Sequence, residues 1–326
     1  MRAWQVAELG EPADVLKLVE LPQPSPGPGQ VVVRVAAVAC NFPDILLCQG
    51  RYQERPPLPF TPGMELAGEV VAVGEGATAR VGDRVMGQTG AHGGGYAEYA
   101  TVPATHLWPW PDGMSAGQAA GMFVTYQTGY CALHRRARIQ PGETLLVHAA
   151  AGGVGSAAVQ LGKAAGATVI ASAGGPEKCA VAKAQGADHV IDYSTEDLVT
   201  RVKELTGGRG ADVIYDPVGG DVFDASRKVI AFEGRILVIG FVAGRFADAP
   251  TNHVLVKNYA VVGVHWGYYQ RMAPELIPQW QDALVALWSE RKIDPLVGAE
   301  LPLEEAPEAL RRLGGRGTVG KVVLVP

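Results

Sequence analysis

The chain has 326 residues, of which 48% are hydrophobic and 19% charged, a composition typical of a folded protein of about two domains. Its formal net charge is -5 and it contains no long basic run, which argues against a surface that binds nucleic acid or an anionic membrane. The four cysteines form no CxxC pair, no apolar stretch reaches the length of a membrane helix, and the first residues lack the apolar core of a signal peptide. We therefore expect a cytoplasmic protein with reduced thiols and no membrane contact.

The first third of the chain is predicted to be rich in β-strands. Residues 21–30 form a proline-rich loop, because proline has no backbone donor for a helix or a central strand. Short runs of apolar and β-branched residues follow at 30–39, 65–74 and 82–87, and glycine turns separate them. We expect each of these runs to form a strand.

Between residues 143 and 263, strands and helices alternate along the sequence. Six apolar runs, from TLLVHA to YAVVGV, are separated mostly by segments of helical periodicity. This alternation is typical of βαβ units, whose parallel strands lie in one sheet. The chain then returns to a mixed pattern, with a predicted helix over 274–290 and a strand in TVGKVVLV. A β-rich beginning, an α/β middle and a mixed end predict one domain that is interrupted by another.

A glycine-rich turn follows the first of these apolar runs, in the sequence VHAAAGGVGSAAVQLGKAAGA from Val147 to Ala167. Apolar residues after the glycines recur at three- and four-residue spacing, which indicates a helix. The N-terminus of a helix carries N–H groups without helical partners, and glycines allow a diphosphate to approach the backbone. Ala150 occupies the first position of the GxGxxG pattern, and Gly152 and Gly155 occupy the others. Beside six predicted strands the motif favours dinucleotide binding, and a turn needed only for helix packing is the alternative.

Seven segments carry a resemblance that follows the chain in order. They are NFPDILLCQGRY at 41–52, PGMELAGEVVAVG at 62–74, VGDRV at 81–85, GGGYAEYATVP at 93–103, TYQTGYCAL at 125–133, AAAGGVG at 149–155 and the closing GTVGKVVLV. Through these segments the chain resembles the zinc-independent quinone oxidoreductase branch of the medium-chain dehydrogenase/reductase superfamily. The resemblance implies an α/β fold, with a Rossmann doubly wound parallel sheet inserted in a GroES-like β-rich domain. It places the first part of the GroES-like catalytic domain at 1–121, the NADPH-binding Rossmann domain at 122–262 and the return segment of the catalytic domain at 263–326.

The resemblance also bears on a metal site. Zinc members of the superfamily bind the catalytic ion through a cysteine, a histidine and a second cysteine, and these places are Asn41, Met64 and Val124 here. An amide, a thioether and a hydrocarbon are poor zinc ligands, so we expect no metal. Cys40, next to a ligand position, is expected to be a small buried hydrophobe. Without zinc to polarise an alcohol, hydride delivery to an electron-poor quinone or α,β-unsaturated carbonyl is the expected reaction.

Three side chains are candidates for the catalytic site, which we expect in the cleft between the domains. Asn41 is expected to hydrogen-bond the nicotinamide ribose or a substrate oxygen, and capping of the helix after it is the alternative. Tyr52 matches a tyrosine that enoyl-thioester reductases of the superfamily use as a proton donor, and a half-exposed loop tyrosine is the alternative. Asp44 is expected at the end of that helix or behind the site.

The second strand of the α/β region predicts which cofactor binds. NAD-specific Rossmann domains place a carboxylate at the end of this strand, whereas here the strand ends in SAGG at 172–175. We therefore expect NADPH, with the Ser172 hydroxyl and the Lys178 ammonium bound to the 2′-phosphate. The resemblance adds Tyr193 and Arg316 as further contacts of that phosphate.

The other expected cofactor contacts are spread over the chain. Thr128 is expected near the nicotinamide, and a buried helix threonine is the alternative. His265 and Trp266 are expected to border the nicotinamide, and an aromatic residue at the seam between domains is the alternative. Besides the phosphate contacts, the expected set is Asn41, Thr128, Gly152, Gly153, Val154, Val218, Gly240, Phe241, Val242, His265 and Trp266.

The leading interpretation is an NADPH-dependent reductase of a small-molecule quinone or enone. One alternative is an enoyl-thioester reductase that acts on a CoA- or carrier-bound acyl chain, although Arg51, Arg55 and Arg271 form no clear phosphate-binding cluster. Another is a structural protein of the lens-crystallin type, which binds the cofactor with little turnover.

A homodimer is also expected. The run NYAVVGVHW from Asn258 to Trp266 reads as a long apolar last strand, and an open sheet edge of this kind promotes aggregation. The family pairs this strand across a two-fold axis, so we expect the interface near Tyr259 to His265.

Overall fold

The computed structural model describes residues 1–90 and 94–326 of the chain. The strands in this part are β1 Arg2–Val6, β2 Leu16–Glu20, β3 Gln30–Ala39, β4 Glu65–Val73, β5 Arg84–Gln88, β6 Tyr99–Pro103, β7 Leu107–Pro109, β8 Thr144–Val147, β9 Thr168–Ala173, β10 His189–Asp192, β11 Ala211–Asp216, β12 Ile230–Val238, β13 Ala260–Gly263, β14 Val297–Pro302 and β15 Lys321–Val325. The α-helices are α1 Pro12–Val15, α2 Phe42–Cys48, α3 Ala116–Tyr130, α4 Gly153–Ala164, α5 Pro176–Ala184, α6 Leu198–Leu205, α7 Gly220–Val229, α8 Thr251–Lys257, α9 Trp266–Met272, α10 Leu276–Ser289 and α11 Ala306–Gly314. Within the described ranges, no helix has both the length and the apolar character needed to cross a membrane. Gly93, the first residue of the GGGYAEYATVP segment, lies outside them.

The chain divides into two compact units. The first consists of Met1–Val124 together with Pro295–Pro326, and the second is Thr125–Asp294. The first unit thus combines the two ends of the chain, and the second is the segment between those ends.

The second unit extends further than residue 262, where the resemblance places the end of the Rossmann domain. The reason is that α9 and α10 pack within this unit. The side-chain amide of Gln127, on α3, donates to the Ile277 carbonyl of α10 at 3.1 Å. The rings of Tyr269 on α9 and Trp280 on α10 lie 5.3 Å apart between centroids.

The core of the first unit contains a mostly antiparallel sheet, in which β14 and β15 from the C-terminal segment join β3 to β7 from the N-terminal segment, while β1 and β2 pair separately. The strand order of this sheet is β14-β15-β3-β4-β5-β7, with β6 also paired to β3, and β14 runs parallel to β15. Ala39 of the central strand β3 lies opposite Val323 of β15 on one side and opposite Glu65 of β4 on the other. The end of β3 is therefore flanked by both neighbouring strands just before Asn41.

A parallel sheet of six strands forms the core of the second unit, in the order β10-β9-β8-β11-β12-β13. Numbered along the chain, this order is 3-2-1-4-5-6, which is that of a Rossmann sheet, so the predicted doubly wound fold is confirmed. Leu146, Ile170, Ile214 and Ile236 of the four central strands are buried in its core. The strand order reverses between β8 and β11, and sheets of this kind bind ligands outside the carboxyl ends of the strands at that point.

Candidate cofactor site and catalytic residues

The turn between β8 and α4 is the glycine-rich turn that the sequence predicts. Ala149 has a left-handed backbone with a φ of 49°, and its carbonyl accepts the N–H of Gly152 at 2.9 Å. A Cβ atom at Gly155 would lie 2.2 Å from the same carbonyl oxygen, so only glycine fits there. Gly152, Gly153 and Val154 are partly exposed where α4 begins. The first turn of this helix is therefore accessible to an anionic ligand, which its N-terminal N–H groups attract.

His148, directly before this turn, is buried with a neutral ring. Its Nδ1 lies 2.8 Å from the Ser172 hydroxyl and its Nε2 lies 2.8 Å from the Ser226 hydroxyl. The Ser226 hydroxyl already donates to the Val222 carbonyl at 2.8 Å, so it accepts from Nε2. Nδ1 therefore carries no hydrogen and accepts from Ser172. Burial lowers the pKa of His148, which favours the same neutral form.

This contact bears on the role predicted for Ser172, which stays a prediction. Its side chain is buried, and its hydroxyl hydrogen is donated to His148. Because a hydroxyl has only one hydrogen to donate, a hydrogen bond from Ser172 to a 2′-phosphate would replace the one to His148. Its backbone carbonyl accepts the N–H of Ala150 at 3.1 Å, which joins the end of β9 to the glycine-rich turn.

The two glycines after β9 lie against Tyr193. A Cβ atom at Gly174 would lie 2.7 Å from the Tyr193 hydroxyl oxygen, so the ring occupies the space beside this glycine. The Tyr193 side chain is 55% exposed. Lys178 lies in the first turn of α5, and Glu177 beside it is exposed. The structure thus places Tyr193 at the strand end where the sequence predicts the 2′-phosphate.

The loops after β11 and β12 lie side by side. The N–H of Ala243 donates to the Val218 carbonyl at 3.0 Å. A Cβ atom at Gly240 would lie 3.2 Å from the Pro217 carbonyl oxygen, which shows how closely the two loops approach. The predicted contacts that this arrangement brings together are Val218, Gly240, Phe241 and Val242.

Four other predicted cofactor contacts lie on different elements. Thr128, on α3, is partly exposed. His265 is exposed directly before α9, and Trp266 at the start of that helix is buried. Arg316 follows α11 in the first unit and has a left-handed φ of 58°. Their contacts with a cofactor stay predictions.

In the first unit, Asn41 belongs to a buried polar cluster with Glu65 and Lys321. The Lys321 ammonium donates to Asn41 Oδ1 at 2.7 Å and to Glu65 Oε1 at 2.9 Å. It also donates to the Cys40 carbonyl at 2.9 Å. Asn41 Nδ2 in turn donates to Glu65 Oε1 at 2.9 Å. These bonds fix the orientation of the Asn41 amide, with its oxygen toward the ammonium and its nitrogen toward the carboxylate.

Glu65 and Lys321 are not among the residues that the sequence singled out. Lys321 is the one charged residue of the strand KVVLV, and Glu65 is the buried one of the two glutamates in the strand ELAGEVVAV. A charge in a buried strand requires a partner, and this is the signal by which both residues can be found.

Asp44 lies in the first turn of α2 and is fully buried. Its carboxylate accepts the N–H of Asn41 at 2.8 Å and the N–H of Gly63 at 3.1 Å. The Tyr96 hydroxyl donates to it at 3.2 Å. Burial raises the pKa of Asp44 to about 6, and these hydrogen bonds limit the rise. Asp44 therefore holds the start of α2, and with it the Asn41 backbone, against the loop that precedes β4.

Tyr52 follows α2 and packs half-buried against the core of the first unit. Burial raises the pKa of its phenol to about 12, and the nearby carboxylates of Glu54 and Asp44 add to the rise. The phenol is therefore protonated at neutral pH, as a proton donor must be. Its part in the reaction stays a prediction.

Two family models match the chain. The model described as the alcohol dehydrogenase GroES-like domain matches residues 27–112. The model described as zinc-binding dehydrogenase matches residues 153–282. These matches confirm the predicted pairing of a GroES-like domain with a dehydrogenase α/β domain.

The residues at the zinc-ligand places do not fit that metal. The Asn41 amide is bound to Lys321 and Glu65, and Met64 offers only a thioether. Val124 has a hydrocarbon side chain, and its N–H donates to Glu65 Oε2 at 2.7 Å. In the described ranges, no three His, Cys, Asp or Glu side chains are grouped as metal ligands. We derive no catalytic step through zinc.

The similarity to known proteins extends over the full length of the chain. Quinone oxidoreductase-like protein 2 homolog from Nematostella vectensis is 41% identical over 327 residues, which cover 99% of this chain and 88% of the relative. The crystal structure of Escherichia coli quinone oxidoreductase complexed with NADPH is similar with a TM-score of 0.92 and 32% identity, covering 100% of both chains. The crystal structure of CurK enoyl reductase is similar with a TM-score of 0.89 and 30% identity, covering 99% of this chain and 98% of that one. The chain therefore belongs to the medium-chain dehydrogenase/reductase superfamily of oxidoreductases, in its quinone oxidoreductase branch.

Proposed function

We propose that the protein is an NADPH-dependent reductase that delivers hydride to a quinone or an α,β-unsaturated carbonyl compound. The observation that carries the proposal is the glycine-rich turn between β8 and α4, where a Cβ atom at Gly155 would lie 2.2 Å from the Ala149 carbonyl oxygen. Such a turn at a helix N-terminus fits a dinucleotide diphosphate. The similar Escherichia coli enzyme, whose structure holds NADPH, supports the same cofactor. Bound NADPH supplies the hydride, and residues of the chain bind and orient the reactants.

The end of β9 supports NADPH over NADH. The residues at 172–175 carry no carboxylate that would repel a 2′-phosphate. Because the Ser172 hydroxyl is bound to His148, we assign recognition of the phosphate to Lys178, Tyr193 and Arg316. A cation supplies the strongest of these interactions, since a hydrogen bond between two charged groups is about twice as strong as a neutral one.

The residues around Asn41 support an acceptor that needs no Lewis acid. A quinone or an enone spreads the incoming charge by conjugation. We assign to Asn41 a hydrogen bond to the nicotinamide ribose or to a substrate oxygen, with Asp44 supporting its backbone. We assign to Tyr52 the donation of a proton to the carbanion or enolate that hydride transfer leaves.

A panel of acceptors at a fixed NADPH concentration tests the proposal. We expect quinones or simple enones to oxidise NADPH, and the loss of nicotinamide absorbance measures this oxidation. Tight NADPH binding without oxidation by any quinone, enone or enoyl thioester would instead favour a structural protein of the crystallin type. Failure to bind NADPH would contradict the proposal altogether.

An enoyl-thioester reductase is the second candidate, and the similarity to CurK enoyl reductase favours it specifically. The same panel separates the two candidates when it includes an enoyl-CoA and a simple enone with the same conjugated double bond. A kcat/KM for the enoyl-CoA well above that for the matched enone would identify the thioester as the substrate class.

We also propose a homodimer that forms through β13. This strand is at one edge of the parallel sheet, and Ala260 and Val261 are exposed. A cytoplasmic location stays a prediction from the sequence.

A further inference from the structure

Asp192, at the end of β10, joins this strand to the turn after β9. The two strands are parallel neighbours, with Asp192 opposite Ala173. Asp192 Oδ1 accepts the N–H of Gly175 at 2.9 Å. The same oxygen accepts the N–H of Ser194 at 3.0 Å and its hydroxyl at 2.6 Å. One carboxylate oxygen therefore holds the glycine turn on one side and the chain beyond Tyr193 on the other.

Tyr193 lies between these two attachments. Its N–H donates to the Ala173 carbonyl at 3.1 Å, and its ring occupies the space beside Gly174. Gly175 has a φ of 84°, a backbone conformation that other residues rarely adopt, and it directly precedes α5. The position of the Tyr193 ring relative to the start of α5 thus depends on the bond between Asp192 and Gly175.

We propose that Asp192 is the positioning residue for recognition of the 2′-phosphate of NADPH, because it fixes Tyr193 against Gly174 at the start of the helix that carries Lys178. The inference rests on the proposed function and adds to it a residue that determines cofactor preference. No pattern in the sequence points to Asp192, and a carboxylate near a bound phosphate is unfavourable by its charge. The structure accounts for the carboxylate by the three hydrogen bonds that Oδ1 accepts.

These hydrogen bonds require an acceptor at Oδ1 but not a negative charge. In the described ranges, no donor bonds to Oδ2 of Asp192, so an asparagine amide nitrogen can replace this oxygen. Asparagine therefore keeps the positioning and removes the charge that repels the phosphate. A comparison of asparagine with alanine at this position therefore distinguishes a positioning role of Asp192 from a general disturbance of the loop.

The test compares Asp192→Ala with Asp192→Asn by measuring dissociation constants for NADPH and NADH through nicotinamide fluorescence. We expect Asp192→Ala to displace Tyr193 and so to weaken NADPH binding by about 3- to 10-fold, the range for the loss of one hydrogen bond to the phosphate, and to leave NADH binding unchanged. We expect Asp192→Asn to bind NADPH as tightly as the wild type or more tightly. Asp197→Ala is the matched control, since Asp197 Oδ1 accepts the N–H and hydroxyl of Thr200 at the start of α6 in the same way. The control is expected to change neither dissociation constant.

The inference is overturned if Asp192→Ala weakens both cofactors equally, if it changes neither, or if asparagine fails to restore NADPH binding. If the alanine variant does not fold, Ser194→Ala is the substitute, because it removes only the hydroxyl that donates to Asp192. This variant is expected to weaken NADPH binding selectively, but less than Asp192→Ala. An unchanged ratio of the NADPH and NADH dissociation constants in Ser194→Ala would also overturn the inference. A wild-type protein that does not prefer NADPH contradicts the proposed function instead. The two failures are therefore distinguishable.

Discussion

The charge of Lys178 is expected to contribute most directly to the difference in affinity between NADPH and NADH. Lys178 lies in the first turn of α5, where the sequence places the 2′-phosphate. A hydrogen bond to a charged group contributes about 1.5–3 kcal/mol. We therefore expect Lys178→Ala to weaken NADPH binding roughly 10- to 100-fold and to leave NADH binding nearly unchanged. Fluorescence titration of the purified variant with each cofactor measures both dissociation constants.

Two further variants serve as controls for Lys178. Lys183 is on the same helix, but its ammonium donates to the Asp188 carbonyl at 2.9 Å, so Lys183→Ala is expected to affect neither cofactor. Ser172→Ala is expected to preserve the cofactor preference, because its hydroxyl is donated to His148. Equal wild-type dissociation constants would refute the preference for NADPH, and a Lys178→Ala variant that weakens both cofactors equally would refute the role of Lys178.

Replacement of Tyr52 tests whether the protein protonates the product carbon after hydride transfer. The phenol of Tyr52 has a pKa raised to about 12 and keeps its proton throughout the neutral range. If it protonates the product, Tyr52→Phe is expected to slow enone or enoyl reduction by about 100- to 10,000-fold, the usual range of general acid catalysis. The dissociation constant for NADPH is expected to stay nearly the same. Turnover numbers of the wild type and of Tyr52→Phe provide the measurement.

A smaller effect of Tyr52→Phe is expected with quinones. The hydroquinone anion is stable enough to take its proton from solvent, whereas the carbanion from an enone is not. An unchanged turnover number with enones would show that water supplies the proton and that Tyr52 is a loop residue.

The sequence predicts the role of a residue well where backbone geometry requires one residue type. It predicts the role less well where a side chain can form hydrogen bonds with several alternative partners. The need for glycine at Gly155 follows from the motif, and the structure gives its cause in the Ala149 carbonyl. The direction of the Ser172 hydroxyl does not follow, because it depends on His148, which comes directly after the neighbouring strand β8, and, through it, on Ser226 of α7. No local pattern in the strand itself reports such a contact.

The Lys321–Glu65 pair joins the last strand β15 to β4. Both side chains are buried, and their charged atoms lie 2.9 Å apart. Removal of one partner leaves a buried charge without compensation, so Lys321→Met is expected to lower the free energy of unfolding by about 3–5 kcal/mol. Urea denaturation followed by tryptophan fluorescence measures this loss. The double variant Glu65→Gln with Lys321→Met buries no charge and is expected to recover most of the stability.

An exposed ion pair between the neighbouring strands β3 and β4 is the control for this prediction. Arg34 and Glu69 are bonded at 2.7 Å, but both side chains are largely accessible to solvent. Arg34→Met is therefore expected to cost only about 0–1 kcal/mol. If Lys321→Met is as mild as Arg34→Met, the buried pair is not the attachment that we infer.

The positions of the strands can be predicted from the sequence, whereas the Glu65–Lys321 contact between two of them cannot. Strand β3 extends over Gln30–Ala39, as its β-branched composition predicts, and all six apolar runs of the α/β region form strands of the parallel sheet. The bond between Glu65 and Lys321 was not predicted, since 256 residues separate them along the chain. Local composition reports burial, whereas it carries no information about which distant strand becomes the neighbour.

The open edge of the parallel sheet predicts how two copies of the chain assemble. β13 pairs with β12 on one side, and the described residues supply no strand for its other side. Val261 of this strand is 36% exposed, and Leu255 and Val256 of the preceding helix are 75% and 78% exposed. An apolar edge of this kind pairs readily with another strand, and the same edge of a second copy is the partner that satisfies a two-fold axis.

We therefore expect a homodimer at micromolar concentration, with twice the mass of the 34.2 kDa chain. Val261→Lys is expected to yield monomers, because a lysine on an edge strand opposes pairing and two lysines repel each other across a two-fold axis. Val81→Lys is the control, since Val81 is an exposed valine of the first unit, 67% accessible, and its replacement is expected to leave the dimer intact. Light scattering coupled to size-exclusion chromatography measures all three masses. A wild-type protein with the mass of one chain across the micromolar range would refute the dimer, and a dimer that persists in Val261→Lys would place the interface at a surface other than β13.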